Sequence, residues 1–232
     1  MSGILPARIE GLGFAAGGRR LLEGLDFALR AGTRTVVLGP NGAGKSLLLR
    51  LLHGLLAPTE GRVHWARPDV GRFQALVAQR PVLLRRSVAA NIAYALSVRC
   101  MADAPRIEAA LELAGLAPLA RRPARVLSGG DQQRLALARA WAIKPEVMFL
   151  DEPTASLDPA ATRAVEAIIG DIAARGTKIV MTTHDLGQAR RLADDVLYLD
   201  RGRLVEASPA ARFFEAPQSA SARAFLKGDL PW

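Results

Sequence analysis

The chain has 232 residues, 50% of them apolar, and a formal charge of +9, which fits one globular domain with a real core and room for an inserted subdomain. Cys100 is the only cysteine, so the chain has no internal disulfide, nothing suggests a thiol metal site, and a reducing compartment is expected. Met1 to Glu10 lack the pattern of a secretory signal, and no stretch reaches the roughly 20 apolar residues that span a bilayer. The positive surplus is nearly all arginine, the lysines being Lys45, Lys144, Lys178 and Lys227. Such a surplus can favour nucleic acid or anionic lipid, but these arginines stand in ones and twos without a polybasic block, as on an ordinary solvated surface.

From Ala7 to Leu29 the pattern predicts antiparallel strands with a turn at Ala16-Gly17-Gly18-Arg19. Phe14 in this layer reads either as core or as a ring that stacks on a base. Thr35 to Leu38 then predict a short buried strand, Leu47 to Leu52 a helix, and between them lie Gly39, Pro40, Asn41, Gly42, Ala43, Gly44, Lys45 and Ser46. Strand, glycine-rich loop, Lys-Ser and helix form the context of a phosphate-binding loop. The glycines let successive amide N–H groups converge, and the helix adds its positive end. Lys45 supplies a charge for the phosphates and Ser46 a hydroxyl for Mg²⁺. A chance match in a chain of this length is on the order of 1%.

A turn at Ala57 to Gly61 leads to a strand over Arg62 to Trp65, and Phe73 to Ala78 predict an apolar strand ending on Gln79. From residue 80 to 126 the texture becomes Ala/Leu/Arg-rich and helical, broken at Pro105, Pro118 and Pro123, which predicts a small helical insert. Residues 127–142 continue it: Leu127-Ser128-Gly129-Gly130-Asp131, then a helix to Ala142. Ser128 and Asp131 have the spacing of a capping box, while Gly129 and Gly130 leave N–H groups open to an anion at a cost in helix stability. Val147 to Leu150 predict a strand buried on both faces that delivers Asp151 and Glu152 together. A bound Mg²⁺ would relieve their repulsion, with Asp151 serving the metal and Glu152 polarising an attacking water. After a turn ending at Asp158, Pro159 to Ala174 predict an amphipathic helix and Lys178 to Thr183 a strand that ends on His184, a residue that by itself reads as structural or catalytic.

Taken together, GPNGAGKS at 39–46, Gln79, LSGGDQQR at 127–134, VMFLDE at 147–152, SLD at 156–158 and His184 resemble, in order, the motifs of the ATP-binding subunits of ABC transporters. The resemblance spans nearly the whole chain. It implies an α/β fold with a P-loop NTPase core of mainly parallel strands, an N-terminal antiparallel β layer and a helical subdomain at 80–126, all in one domain of residues 1–232. It implies ATP and Mg²⁺ as cofactors and a head-to-tail dimer with a second copy. ATP would lie between one copy's loop 39–46, with Phe14 on the adenine, and the other's Ser128, Gly129 and Gly130, near Asp158. Ser46, Gln79 and Asp151 would hold Mg²⁺; Glu152, His184, Gln79 and Lys45 would carry catalysis. Phe14 stands where the family usually has Tyr, and Asp131 where it has Gln or Glu.

The segment Gln79 to Ile92 is similar to that of tungstate, phosphate and polar amino acid importers. Membrane permease subunits and a substrate-binding protein are the partners this implies, with the ATPase peripheral on the cytoplasmic face of the membrane and never touching the cargo, an oxyanion such as tungstate. Two alternatives stay open: an exporter ATPase, which shares every catalytic motif, and an ABC ATPase acting on nucleic acid or ribosomes. The second usually carries two nucleotide domains or a coiled-coil insert, neither of which is present, so nucleic acid is not the expected partner.

Overall fold

The computed structural model describes residues 3–101 and 103–229; Met1 and Ser2, part of the stretch read above for a leader, lie outside the described residues. In chain order the strands are β1 (Ala7–Ala16), β2 (Arg19–Leu29), β3 (Arg34–Leu38), β4 (Glu60–Trp65), β5 (Gln74–Val77), β6 (Val147–Asp151), β7 (Lys178–Thr182), β8 (Asp195–Asp200) and β9 (Arg203–Pro209). The helices are α1 (Lys45–His53), α2 (Val88–Val98), α3 (Ala104–Leu113), α4 (Gly129–Ala142), α5 (Pro159–Ala174), α6 (Leu186–Leu192), α7 (Ala210–Glu215) and α8 (Ala220–Lys227). They fall into two compact units, Met1–Arg72 with Lys178–Trp232, and Phe73–Thr177.

The first unit holds an antiparallel sheet in the order β2-β1-β4. Its hairpin turns at Gly17-Gly18, as the sequence predicts, and Ala7, Ile9, Leu12, Leu22, Leu25 and Leu29 make its buried face. In the same unit β3 runs parallel to both β7 and β8, and β9 turns back antiparallel on β8. Val36, Val37 and Leu38 are buried with Ile179, Val180 and Met181, because a central parallel strand is covered on both faces. Phe213 of α7 and Phe225 of α8 are buried. They pack on Tyr198 of β8, with centroids 5.8 and 5.2 Å from its ring, and so hold α7 and α8 on the β8–β9 hairpin.

In the second unit β5 and β6 pair in parallel, Gln74 opposite Val147 and Val77 opposite Leu150. Every residue of β6 is buried, as expected of a strand with no polar face. The segment after Gln79 is tied down by buried Asn91, whose Oδ1 accepts from the Leu84 N–H at 2.8 Å while its Nδ2 donates to the Ser87 carbonyl at 2.9 Å. Backbone bonds from Val88 N–H to Arg122 O and from Ala124 N–H to Arg86 O then lash this segment to residues 120–124.

That lashing has an electrostatic result absent from the linear sequence. Exposed Arg85 and Arg86 come together with exposed Arg121, Arg122 and Arg125, with the Arg86 guanidinium 5.5 Å from the centre of the Tyr94 ring. Pairs far apart in the chain are thereby brought close together. Among the described residues no helix is long and apolar enough to cross a membrane. The architecture is α/β, with parallel strands, flanking helices and a separate antiparallel layer at the N-terminal end.

Candidate functional site

Ligands of open parallel sheets gather beyond the carboxyl ends of the strands, and each unit has motif residues following the ends of its own parallel strands. In the first unit Val37 of β3 stands opposite Thr182 of β7, so the loop starting at Gly39 and the segment leading to His184 leave neighbouring strand ends. Gly39 is required by its surroundings. Its φ is +148°, and a Cβ there would lie 2.1 Å from the Leu199 carbonyl oxygen, which no side chain tolerates. Asn41 and Gly42 are exposed at the loop tip, and Gly44 caps α1 in a left-handed conformation.

Lys45 is buried, 6% exposed, and its Nζ donates to the Gly39 and Pro40 carbonyls at 2.8 and 3.1 Å. The ammonium is thus folded back over the loop's own backbone, where a compact charge suits phosphate oxygens. Half-buried Ser46 follows it on α1. His184 is exposed and fixed at its base: Thr183 Oγ1 accepts from the Asp185 N–H at 3.1 Å, and Asp185 Oδ1 caps α6 by accepting from the Gln188 N–H at 2.9 Å. Half-buried Phe14 pairs in register with Leu22, the residue whose side chain borders Gly44. The ring is therefore carried next to the strand that touches the loop.

In the second unit the same logic brings Gln79 beside Asp151 and Glu152, because they follow the paired ends of β5 and β6. Gln79 Nε2 donates to Glu152 Oε2 at 3.3 Å, a contact that spacing alone could not predict. Asp151 is 9% exposed. Glu152 has φ +45° and Ser156 φ +65°, conformations that cost a side-chain-bearing residue about 1–2 kcal/mol each. The turn between them is closed by bonds from Ala155 N–H to Glu152 O and Leu157 N–H to Thr154 O. Asp158 ends it as the N-cap of α5, its Oδ1 accepting from the Ala160 and Ala161 N–H groups at 2.8 and 2.9 Å.

Ser128 caps α4, its Oγ accepting from the Asp131 N–H at 3.2 Å. The other half of the expected capping box gives way to an ion pair, in which the Asp131 carboxylate meets Arg134. Arg134 also donates to the Ala114 carbonyl at 2.7 Å, bracing the start of α4 from behind. Ser128 and Gly129 are exposed.

Sequence reasoning missed Lys178. It is 1% exposed at the start of β7, and its Nζ donates to Thr33 Oγ1 and Thr35 Oγ1 at 2.6 and 2.7 Å. Burial pulls its pKa down to about 8, against the opposing pull of Asp195 and Asp194. Nearby, the Arg34 guanidinium binds Asp194 at 2.9 Å and holds that carboxyl below its ordinary value. A lysine opening a strand offers no sequence signal of either contact.

The family described as ABC transporter matches residues 22–155. A phosphate import ATP-binding protein, PstB 2, of Natronomonas pharaonis is 36% identical over 96% of this chain and 86% of its own length. The tungstate uptake system ATP-binding protein TupC of Peptoclostridium acidaminophilum is 40% identical over 82% of this chain and 92% of its own. Among solved structures, cbiO1 of Clostridium perfringens, part of the ABC transporter complex cbiONQ, superposes with a TM-score of 0.82 at 27% identity, covering 90% of each chain. The chain therefore belongs to the ABC transporter family: it is an ATP-binding subunit and an ATPase, and it groups by sequence with import ATP-binding proteins.

Proposed function

We propose that this subunit powers an ABC importer for an oxyanion such as tungstate, working as a head-to-tail homodimer at the cytoplasmic face of a membrane permease that is served by a substrate-binding protein. The observation that carries the hydrolytic part is the Gln79–Glu152 contact at 3.3 Å, on a turn whose strained φ at Glu152 aims a carboxylate that glycine could not supply. Glu152 orients and deprotonates the attacking water, with Gln79 holding its carboxylate. His184 and Lys45 steady the phosphate oxygens, and the loop amides from Gly39 to Ser46 receive the remainder. Phosphoryl transfer rests on positioning and charge stabilisation, so these residues act as a set. The segment 80–126 acts as a helical subdomain of a single domain and passes the nucleotide state from Gln79 to the permease.

The donor set suits Mg²⁺. Ser46, Gln79 and Asp151 offer hard oxygens, and among the described residues no group of three His, Cys, Asp or Glu forms a cage for a metal. Mg²⁺ is held by one or two protein oxygens plus substrate phosphates, not by such a cage. When bound it would neutralise charge on the phosphates. The oxyanion reading is supported by likeness to PstB 2 and TupC and by the Gln79 to Ile92 segment.

The test is a pull-down of the tagged protein from gently solubilised membranes of its host, with mass spectrometry of what is retained. A permease with a binding protein is the expected result, and that binding protein should bind tungstate more tightly than phosphate, methionine or nickel. Recovery of ribosomal proteins or DNA without a permease would overturn the transport reading and leave the ATPase standing.

A further inference from the structure

The first turns of α4 and α5 meet at two small residues of the second unit. A Cβ added to Gly130 would lie 2.8 Å from the Ala161 Cβ, whereas one added to Gly129 would meet Leu157 Cδ2 at an ordinary 3.8 Å. Ala161 cannot swing aside. Its Cβ rides on the backbone, and its own N–H is bound by the cap of Asp158 at 2.9 Å. The start of α4 is tied as well, since Gln132 Nε2 donates to Leu127 O at 2.9 Å and Arg134 to Ala114 O at 2.7 Å. The two adjacent glycines are therefore not equivalent: Gly129 is open, and Gly130 is committed to Ala161.

We propose that Ala161 is a positioning residue for ATP-driven dimerisation, setting the height of the Ser128–Gly130 turn. This rests on the reading above, in which that turn grips ATP held by the partner copy. Only Pro159 and Ala160 separate Ala161 from the turn that starts at Glu152 and closes at Asp158. The group that acts on a subunit's own nucleotide and the turn that grips its partner's are thereby seated on one rigid piece, so a shift at one is felt at the other.

A reciprocal swap tests this. Gly130→Ala adds a carbon at the contact, Ala161→Gly removes one, and the double variant keeps one. All are made in a Glu152→Gln background, and ATP-driven dimerisation is followed by light scattering with Mg-ATP. Gly130→Ala should raise the ATP concentration for half-maximal dimerisation about tenfold or more, since misplacement of order 1 Å carries effects up to a hundredfold. A fluorescent ATP analogue, at protein concentrations too low for dimers, should bind unchanged. Adding Ala161→Gly should bring dimerisation back to within about threefold of the parent. A double variant no better than Gly130→Ala would overturn the proposal, because Gly130 would then serve the nucleotide directly. If Gly130→Ala does not fold, Ala161→Gly alone decides: a rise of about threefold supports the role, and no change refutes it. Ser128→Ala serves as control. Dimerisation indifferent to it would sink the reading of the signature turn, and the positioning role with it, whatever the swap does to thermal stability.

Discussion

A loop in the first unit and a turn in the second differ in which residues carry their left-handed backbone. The first, 39–46, uses glycine: Gly39 because the Leu199 carbonyl leaves no room for a Cβ, and Gly44 because α1 starts from a left-handed cap. The second, 152–158, keeps Glu152 and Ser156, which bear side chains, in conformations that glycine would adopt freely. Strain is accepted where a carboxylate is needed and avoided where only amides are. The comparison teaches that Glu152 is held at a cost that a glycine there would avoid, while Gly39 stands where no Cβ fits.

The largest expected effect breaks the second unit's side of this comparison. Glu152→Gln keeps the shape and the strain but loses the base proposed above, and steady-state ATPase assays should show kcat lower by at least about a hundredfold, the low end of what general base catalysis contributes. ATP affinity should persist within a few fold. Gly39→Ala breaks the first unit's side. The clash with Leu199 O should cost about 2–3 kcal/mol or more of stability, read as a fall in the urea midpoint together with weakened ATP binding.

A third test sharpens the contrast between the first unit's two buried lysines, Lys45 at the loop and Lys178 under Thr33 and Thr35. Lys178 has a lower pKa folded, about 8, than its ordinary 10.5, so the unfolded chain binds the proton more tightly. Between those values stability should rise with pH, and below about 8 that gain is lost. Relative to Lys178→Met, the parent's unfolding free energy should climb by about 1 kcal/mol per pH unit from pH 8 to 10; parallel profiles would show that the ammonium is solvated. The smallest effect is Ser156→Gly. Relief of the φ at +65° should raise stability by about 0.5–1 kcal/mol, and a loss of stability would mean that the turn stores no strain there.

Much of this molecule was legible before any coordinates. The P-loop context, the Gly17-Gly18 hairpin, the buried β6 and the α5 boundaries follow from local rules, because periodicity, turn chemistry and capping act over a few residues. The order of motifs identified the family for the same reason: each motif is a short run whose chemistry needs neighbouring residues. The capping box at Ser128 was half legible, since its serine obeys the local rule while Asp131 is drawn to Arg134.

What remained was settled by contacts between residues far apart in the chain. Gln79 meets Glu152 only because β5 and β6 pair in register. Arg86 and Arg122 come close together only because two loops are lashed together. Lys178 is buried under threonines some 140 residues before it, and Gly130 is singled out from Gly129 by a helix that begins at Pro159. The sequence alone determined the elements and the chemistry they carry, because those depend on near neighbours. Tertiary structure decided which of those groups touch, because strand register and helix packing bring together residues that local rules cannot relate.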